Sequence, residues 1–418
     1  MNEPRYCSLL WTHLSNEPGG TLRSCCIARE RISRPDGSDY TLGEDSIRDI
    51  FHSEYMKNLR QEIREGKTPE NCATCWIDED NGKESKRQLY NGYAEWRYPD
   101  GIDYMVEPDM PRDYQLILGN ACNLKCRTCN ANYSSKWRKE SIDRKIEFWE
   151  PPSKIDLHDL EQSRFWLDIE DWLPNVRVLE IMGGEPFYMK EFRKLIDKLV
   201  DMGVSKNIMI TLSTNGTHYN DTLINKIVDN FENLGFNISL DGVGDKFDYL
   251  RHGDNWEDNV IGNIDKFYKL HTENDHVNIN ITHTVSVWNF FYLREFHDFF
   301  ETHYPKFNIW NNTVHFPEWC EANVVPEPTK NLIIDRSGYK VIENNKDIFL
   351  PRKEFELLFL LASEPGKVFK RNLILDSVWG KDVVVGDRTI AVHMRKLREK
   401  IGDHYFKTVK GVGYKLVD

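Results

Sequence analysis

The middle of this 418-residue chain alternates short apolar strands with amphipathic helices, and this alternation most constrains its fold. Apolar side chains recur at helical spacing between the strands, as in Phe192–Val200, Leu223–Phe231 and Val260–Phe267. Parallel neighbouring strands need such crossovers. Six strands are predicted: Tyr114–Gly119, Val176–Met182, Asn207–Ser213, Phe236–Asp241, Val277–Ser286 and Phe307–Trp310. These six units predict an α/β fold with a parallel sheet, an open or partial barrel, and sites at the carboxyl ends of its strands.

The nine cysteines are unevenly distributed and divide the chain further. Five lie in the first quarter, at Cys7, Cys25, Cys26, Cys72 and Cys75. Three form a tight group at Cys122, Cys126 and Cys129, and Cys320 stands alone with no cysteine after it. We therefore predict a cysteine-rich domain over 1–111, a barrel over 112–316, a proline-containing linker over 317–330 and a further domain over 331–418.

No part of the sequence reads as a membrane or export signal. Apolar runs fall short of the roughly 18 residues that a membrane helix needs, and the first ten residues lack the basic and apolar regions of a signal peptide. We expect a cytoplasmic protein with no membrane partner. Thiols stay reduced in that compartment, so the cysteines favour metal or redox chemistry over disulfides.

The tight group has the spacing C-x3-C-x2-C, directly after the first predicted strand. Three thiolates this close can surround one metal centre. A structural zinc normally has four protein ligands, so zinc would need a distant fourth residue; spare buried thiols are a further alternative. A cubane iron–sulfur cluster held by only three cysteines would leave one iron open to a substrate or cofactor.

This motif, in this place, resembles the radical S-adenosylmethionine (radical SAM) enzymes, whose fold is a partial (β/α)6 TIM-like barrel. The resemblance implies that Cys122, Cys126 and Cys129 are catalytic and hold a 4Fe–4S cluster whose open iron binds SAM. An electron then cleaves SAM to methionine and a 5′-deoxyadenosyl radical, which abstracts hydrogen from a substrate. It also implies an electron donor such as flavodoxin or ferredoxin, and a peptide or small-molecule substrate.

Four further motifs follow in the order of that family, covering about residues 112–316. Gly183-Gly184-Glu185-Pro186 resembles the segment whose backbone receives the SAM amino group. Polar residues at the ends of the next two strands are similar to positions that face the SAM ribose and methionine, and an arginine beyond them could meet its carboxylate. The implied SAM-binding residues are Gly183, Gly184, Glu185, Pro186, Ser213, Asn215, Ser239, Asp241 and Arg251.

The N-terminal cysteines form a second pattern, C-x12-G-x4-C followed later by C-x2-C. It resembles the SPASM/twitch modules of radical SAM enzymes, which bind an auxiliary 4Fe–4S cluster. The implied ligands are Cys7, Cys25, Cys72 and Cys75. Four thiolates would equally satisfy a structural zinc, and Cys26 could replace its neighbour as a ligand. Cys320 is expected to be a free thiol.

The tail differs from the body in charge. Residues 331–418 carry 17 Lys and Arg against 12 Asp and Glu, whereas residues 1–330 carry 38 against 55. A basic tail on an acidic body suggests that the tail alone meets a polyanion, although composition drift would give the same balance. Short strands, three helices and a final hairpin predict a winged helix-turn-helix, with Ile390, Met394, Leu397 and Ile401 as the buried stripe of the third helix.

The segments Asp387–Arg398 and Val409–Tyr414 resemble the effector domain of OmpR/PhoB-type response regulators. That family places the third helix in the DNA major groove and the wing against the minor groove. The implied contacts to double-stranded DNA are Arg388, Thr389, Val392, His393, Arg395, Lys396, Lys410 and Gly411. The receiver domain that precedes this domain in response regulators has no counterpart in the sequence, so control by phosphorylation is not supported.

Two functions of different class fit these features. The first is a radical SAM enzyme fused to a sequence-specific DNA-binding domain of a transcription regulator. The second is a transcriptional regulator that senses iron–sulfur state or SAM without turnover. The complete set of SAM-binding motifs favours the enzyme, because a sensor could lose Gly183–Pro186 without penalty.

Overall fold

Two separate hydrophobic cores organise the described residues of the chain. The computed structural model describes residues 5–145, 163–314, 320–322, 332–335, 340–343, 346–364, 366–380 and 387–417. One compact unit comprises Met1–Val285 with Tyr292–Thr313, and the other comprises Ser286–Phe291 with Val314–Asp418. Among the described residues, no helix has both the length and the apolar character needed to cross a bilayer.

An eight-stranded sheet forms the centre of the first unit. Its strands, with two short ones outside it, are β1 His13–Asn16, β2 Leu22–Arg23, β3 Asp113–Ile117, β4 Lys125–Cys126, β5 Val178–Met182, β6 Met209–Thr214, β7 Asn233–Ser239, β8 Arg251–His252, β9 Val277–Val285 and β10 Asn308–Thr313. The order across the sheet is β10-β9-β7-β6-β5-β3-β1-β2. All neighbours are parallel except β1 and β2. The short strands β4 and β8 pair with each other.

Helices precede, connect and cover the strands of the first unit. They are α1 Ser8–Thr12, α2 Ile47–Phe51, α3 Glu54–Arg64, α4 Ala73–Asp80, α5 Lys86–Arg97, α6 Ser135–Asp143, α7 Arg164–Leu167, α8 Ile169–Trp172, α9 Lys190–Asp201, α10 Asp221–Asn230, α11 Asp245–Leu250, α12 Ile261–Glu273 and α13 Leu293–His303. A π-helical turn, Trp256–Val260, precedes α12. The amphipathic pattern buries one side of each long crossover helix, as in α9, where Phe192, Leu195, Ile196 and Leu199 are buried.

The predicted α/β fold with a parallel sheet is confirmed, and each of the six predicted strands is present. The largest difference at a strand start is at β7, which begins at Asn233 rather than Phe236. Its first residues pair with β6 even though the segment lacks an apolar start, because Asn233 lies opposite Met209 and Gly235 opposite Thr211.

The sequence analysis missed β1 and β2, which the N-terminal segment adds to the sheet. β1 pairs with β3 in parallel, with His13 opposite Asp113 and Ser15 opposite Gln115. Residues 1–111 and the barrel therefore share one sheet and one compact unit. Residue 111 remains a boundary drawn from the sequence alone.

The two faces of the sheet differ in chemistry. Along β5 and β6 the residues alternate, and Leu179, Ile181 and Leu212 are fully buried on the helix-covered face. The other face carries polar side chains, including Glu180 and Thr211, which are half-buried and lie opposite each other. Closed barrels of this kind usually fill their interior with branched apolar residues. In this protein the face is polar instead and is partly paired with the N-terminal segment, since the Tyr90 hydroxyl of α5 donates to the Glu180 carboxylate (3.0 Å).

The second unit contains three helices and two small sheets. Its strands are β11 Leu332–Asp335, β12 Lys340–Glu343, β13 Lys346–Ile348, β14 Phe369–Lys370, β15 Phe406–Val409 and β16 Gly413–Leu416. Its helices are α14 Arg352–Ala362, α15 Arg371–Val378 and α16 Asp387–Ile401. The hairpin of β15 and β16 forms the wing, and β14, which the sequence did not predict, completes its sheet.

The third helix buries the stripe that its spacing predicts. Ile390, Met394, Leu397 and Ile401 are each at most 2% exposed and belong to the core of this unit. This arrangement confirms the predicted winged helix-turn-helix.

Candidate functional site

The first cysteine group lies in the loop that follows β3. Within this loop β4 pairs with β8, which places Cys126 opposite Arg251 in an antiparallel ladder. The Cys129 N–H donates to the Cys126 carbonyl (3.1 Å), and the Leu124 N–H donates to the Cys122 Sγ (3.4 Å). The structure thus brings the three predicted ligands together in one loop, whose conformation is fixed by backbone hydrogen bonds.

The environment of these thiols opposes their ionisation. Burial is the main reason that the pKa of Cys122 is raised and that of Cys129 is raised to about 11. Charge on neighbouring thiols of the group raises the pKa of Cys126 and Cys129 further, because like charges repel. Metal ligation requires the thiolate form. A cationic metal centre would therefore offset the free-energy cost of ionising the thiols in this loop.

The spacing of the cysteines bears on the kind of centre they could hold. In the part of the chain that the structure describes, no three Cys, His, Asp or Glu side chains are placed to hold a metal ion. A single zinc would need its thiolates about 2.3 Å from one point, whereas the thiolates around a cubane bind different iron atoms. Three cysteines in one loop match three of the four irons of a cubane, whereas a structural zinc would need a fourth ligand from elsewhere.

A glycine pair brings the loop after β5 against the cysteine loop. Gly183 and Gly184 have φ angles of 77° and 55°. A Cβ on Gly184 would lie 2.5 Å from the Ala121 carbonyl oxygen, beside the first cysteine. The Glu185 N–H donates to that same carbonyl (2.8 Å). Only glycine permits this approach, so the two loops meet backbone to backbone.

Glu185 is fully buried and crosslinks β5 to the end of β6. Its carboxylate accepts hydrogen bonds from the Thr214 hydroxyl (2.9 Å) and the Asn215 N–H (2.7 Å). Burial raises its pKa to about 7, although these hydrogen bonds favour the ionised form. The Glu185 side chain thus holds the ends of β5 and β6 together. The backbone of Gly183–Pro186 is left as the surface for a ligand.

Polar side chains at the ends of β6 and β7 lie beside the cysteine loop. The Asn215 Nδ2 donates to the Asn123 Oδ1 (3.0 Å) and is 3.9 Å from the Cys122 Sγ. Ser213 is half-buried on the polar face, and the Ser239 hydroxyl lies 3.2 Å from that of Thr282. The predicted polar residues therefore do gather at the carboxyl edge of the sheet.

Asp241 and Arg251 form a buried ion pair at the same edge. The Arg251 Nη2 lies 2.9 Å from the Asp241 Oδ2, and the two side chains are 9% and 2% exposed. The Arg251 Nη1 is 3.9 Å from the Cys126 Sγ. The guanidinium thus contacts the cysteine loop, and a contact with the SAM carboxylate stays a prediction.

The second cysteine group surrounds one pocket. Cys7, Cys25, Cys72 and Cys75 all line it. Burial raises the pKa of Cys7 to about 12 and that of Cys25 to about 11. The structure thus brings Cys7 and Cys25 beside the Cys72–Cys75 pair, and the role of the four as ligands stays a prediction.

Cys26 lies outside the lining of this pocket. It is exposed, and the Lys86 Nζ donates to its Sγ (2.8 Å). Cys25 lines the pocket instead, which favours Cys25 over Cys26 as a ligand. Cys320 is buried and belongs to the second unit.

Sequence reasoning missed two cations beside this pocket. Lys86 and Arg87 both line it, at the start of α5. Arg87 is held by Glu79 (2.8 Å), and Ser85 caps the helix with Gln88 in a capping box. The Ser-x-x-Gln pattern indicates where the helix starts, but nothing in the cysteine spacing links Lys86 and Arg87 to the thiols.

The recognition helix of the second unit divides the predicted DNA-binding residues into two sets. Val392 is 47% exposed and the Arg395 side chain 81% exposed, on the outer face of α16, where Arg395 pairs with the exposed Glu399 (2.7 Å). His393 and Lys396 instead lie about 4 Å from the carboxylate of the buried Glu354 on α14. The outer face is therefore the better candidate for base or phosphate contacts.

The remaining predicted contacts lie at the helix start and on the wing. Lys410 and Gly411 are exposed in the turn between β15 and β16. Thr389 is half-buried near the start of α16, and the side chain of Arg388 lies outside the described residues.

Comparison with protein-family models identifies three segments of the chain. Residues 116–295 match the Radical SAM superfamily. Residues 7–76 match the SPASM family, described as an iron–sulfur cluster-binding domain. Residues 345–416 match the C-terminal domain of transcriptional regulatory proteins. The chain therefore combines a radical SAM domain and a SPASM domain with a DNA-binding domain of the response-regulator type, as the motifs predict.

Individual relatives match only parts of the chain. The heme response regulator HssR of Staphylococcus saprophyticus is 39% identical over 92 residues, which are 21% of this chain and 41% of that protein. The DNA-binding domain of Bacillus subtilis CssR is 33% identical and covers 21% of this chain and 99% of that structure, with a TM-score of 0.20. The structure of anSMEcpe with bound AdoMet is 20% identical and covers 49% and 52% of the two chains, with a TM-score of 0.34. The chain thus spans about two fifths of the length of the curated relatives it matches.

Proposed function

We propose that this protein is a radical SAM enzyme whose C-terminal domain binds DNA and links its activity to transcription. One observation carries the proposal: the C-x3-C-x2-C loop, the glycine pair after β5 and the polar ends of β6 and β7 all meet at one edge of the sheet. Each motif alone is a common turn, but their convergence is what binding a cluster and a polar nucleoside requires.

The cysteine loop would hold a 4Fe–4S cluster through Cys122, Cys126 and Cys129. When bound, this cluster would supply the electron that cleaves SAM to methionine and a 5′-deoxyadenosyl radical. The backbone around Gly183 and Gly184 offers polar groups at close approach, and Asn215 is held beside the loop by Asn123. These residues would orient SAM against the open side of the cysteine loop.

The N-terminal pocket would hold an auxiliary 4Fe–4S cluster through Cys7, Cys25, Cys72 and Cys75. Lys86 and Arg87 line the same pocket and would offset the negative charge of four thiolates. An external donor such as flavodoxin or ferredoxin would reduce the enzyme, and the substrate would be a peptide or a small molecule that enters the polar face of the sheet.

The C-terminal domain would bind double-stranded DNA. Arg395 on the outer face of α16 and Lys410 on the wing are exposed cations at the two positions that a winged helix presents to the major and minor grooves. Phosphate contacts of this kind position the protein on the duplex, and exposed side chains such as Val392 would reach base edges.

A SAM-cleavage assay on the full chain tests the enzymatic part of this proposal. We expect the anaerobically reconstituted and chemically reduced protein to form 5′-deoxyadenosine and methionine. Cys126→Ala should abolish this product, and Cys320→Ala, which removes a buried thiol from the other unit, should not. Undiminished 5′-deoxyadenosine in Cys126→Ala would refute the assignment. A protein that binds the cluster and SAM without cleaving SAM would support the sensor hypothesis instead.

A further inference from the structure

The Asp241–Arg251 pair is an electrostatic feature that SAM binding alone does not explain. The two side chains are almost completely buried and lie 2.9 Å apart. Burying charges is costly unless they are paired, and a buried pair contributes little net stability compared with apolar residues of similar size. Packing therefore does not explain why the Asp241–Arg251 pair lies here, and the pair is expected to have another role.

Backbone pairing, rather than side-chain packing alone, fixes the position of Arg251. It is the residue of β8 that lies opposite Cys126 in the ladder with β4. The Arg127 N–H donates to the Leu250 carbonyl (2.9 Å), which ties the cysteine loop to the segment just before Arg251. The guanidinium is consequently held 3.9 Å from the Cys126 Sγ.

Asp241 is held equally firmly on the opposite side of the guanidinium. It follows β7, and its Oδ1 accepts a hydrogen bond from the Thr284 N–H of β9 (3.0 Å). The carboxylate is therefore fixed by two strands of the main sheet and the guanidinium by the small ladder. The pair forms an oriented dipole whose positive end faces the cysteine loop.

The two charges lie at different places relative to the cysteine loop. The Arg251 Nη1 is 3.9 Å from the Cys126 Sγ, and the Asp241 carboxylate binds the other terminal nitrogen, Nη2. A positive charge favours added negative charge nearby, and a negative charge opposes it. The same interaction acts on an electron that is added to a centre held by these thiols.

We propose that Arg251 and Asp241 are positioning residues that set the reduction potential of the cluster held by Cys122, Cys126 and Cys129. This inference rests on the proposed function. One-electron reduction by an external donor adds one negative charge at the cysteine loop and moves no proton. Arg251 stabilises the reduced state in a low-dielectric site, and Asp241 limits that stabilisation, so the two residues shift the potential in opposite directions.

Redox titration of the reconstituted full chain, followed by electron paramagnetic resonance in the absence of SAM, tests this proposal. The relevant signal is the one that disappears in Cys126→Ala. Arg251→Gln should make the potential more negative, and Asp241→Asn should make it less negative. We expect each single change to alter the one-electron equilibrium about tenfold, which corresponds to about 59 mV. The double variant should lie between the two single variants.

Two further variants separate the effect of charge from that of structure. Arg251→Lys keeps the positive charge and should stay closer to the wild-type potential than Arg251→Gln does. Arg127→Gln removes an exposed cation from the same loop, one held by the Tyr249 carbonyl (2.9 Å) rather than by a thiol, and should not shift the potential. If Arg251→Gln fails to retain the cluster, Asp241→Asn still decides the question, because its potential should become less negative while that of Arg251→Lys stays near the wild-type value.

The outcomes distinguish this inference from the proposed function. Wild-type protein that binds no cluster at the cysteine loop would overturn both. A normal cluster whose potential is unchanged in Asp241→Asn and Arg251→Gln, or shifts in the same direction in both, would overturn the inference alone and leave the pair with a structural role.

Discussion

The two cysteine groups of the first unit reach similar chemistry by different routes. The loop after β3 places three thiols within eight residues, and its neighbours are hydrogen-bonding groups and one buried ion pair. The N-terminal pocket assembles four thiols from Cys7 to Cys75 and has two cations in its wall. One group is thus a local motif that the sheet supports, whereas the other exists only once distant segments have folded. Under the proposed function, the first would be an open centre that receives a ligand and the second a closed centre with all ligands from the protein.

The largest expected effect concerns iron content and activity. If both groups hold cubanes, wild-type protein should contain about eight irons, four per cluster. Changing Cys122, Cys126 and Cys129 together to Ala should leave about four irons and abolish formation of 5′-deoxyadenosine. Changing Cys72 and Cys75 to Ala should also leave about four, but with SAM cleavage retained. Iron analysis and the cleavage assay check both; one zinc and no iron in the first variant would make the N-terminal pocket a zinc site.

A second prediction concerns the stability that each metal centre contributes. Ligation at the N-terminal pocket closes the long loop between Cys25 and Cys72, whereas ligation in the β3 loop closes only short ones. Loop-closure entropy rises by about 0.6 kcal/mol for each doubling of loop length, so the pocket should contribute roughly 1.5 kcal/mol more. Cys72→Ala should therefore lower the melting temperature of the reconstituted protein more than Cys126→Ala does. Equal decreases in the melting temperature of the two variants would show that strain or residual structure outweighs the difference in loop-closure entropy.

A third prediction tests how firmly the N-terminal segment is joined to the sheet. His13 on β1 is 2% exposed, and no hydrogen-bond partner is present for either ring nitrogen among the described residues. Burial lowers its pKa to about 3. The unfolded chain binds a proton near pH 6.5 and the folded chain does not, so stability should fall as the pH drops from about 6.5 towards 3.

The variant that checks this is His13→Leu, compared with wild type by denaturant unfolding at pH 7.5 and pH 5. The stability difference between the two pH values should shrink, because the leucine does not titrate. His276→Leu, which replaces an exposed histidine, controls for the substitution itself. An undiminished pH dependence in His13→Leu would show that groups other than His13 cause it.

The smallest effects are expected in the second unit, which carries neither cysteine group and serves as the reference. Lys410→Ala should weaken binding of the full chain to all DNA duplexes alike and reduce the slope of log affinity against log salt by about 0.9. Arg395→Ala should weaken binding more than Lys396→Ala, because the Arg395 side chain is more exposed (81% against 52%) and its partner Glu399 is exposed as well, whereas Lys396 lies beside the buried Glu354. Gel-shift titration at two salt concentrations measures both. A larger loss for Lys396→Ala would place the DNA on the other side of α16.

Sequence reasoning succeeded where the chemistry is contiguous. Each of these features lies within a single turn or a single helix: Cys122, Cys126 and Cys129, the glycine pair, and the apolar stripe of α16. The relative positions of such residues follow directly from their spacing in the sequence. The N-terminal cysteine module was also predicted, because its spacing resembles a known family, and the role of its cysteines as ligands stays a prediction.

Reasoning from the sequence failed where partners come from distant segments. His13–Asn16 is a four-residue strand with no distinctive pattern, and only its pairing with β3 makes it a strand. Glu185 contacts the end of β6, and Arg251 contacts Asp241 and Cys126. These contacts depend on which strand ends become neighbours in the fold. Lys86 reaches the N-terminal pocket because α5 folds back across it, which no residue near Lys86 announces.

The parallel pairing of β1 with β3 also bears on the order in which the protein is assembled. During synthesis β1 leaves the ribosome long before its partner strand, since His13 must wait for Asp113. Contacts so far apart in sequence form slowly, and an unpaired strand edge is prone to aggregate in the meantime. The N-terminal cysteines therefore emerge on a nascent segment that cannot complete its sheet until the barrel strands arrive.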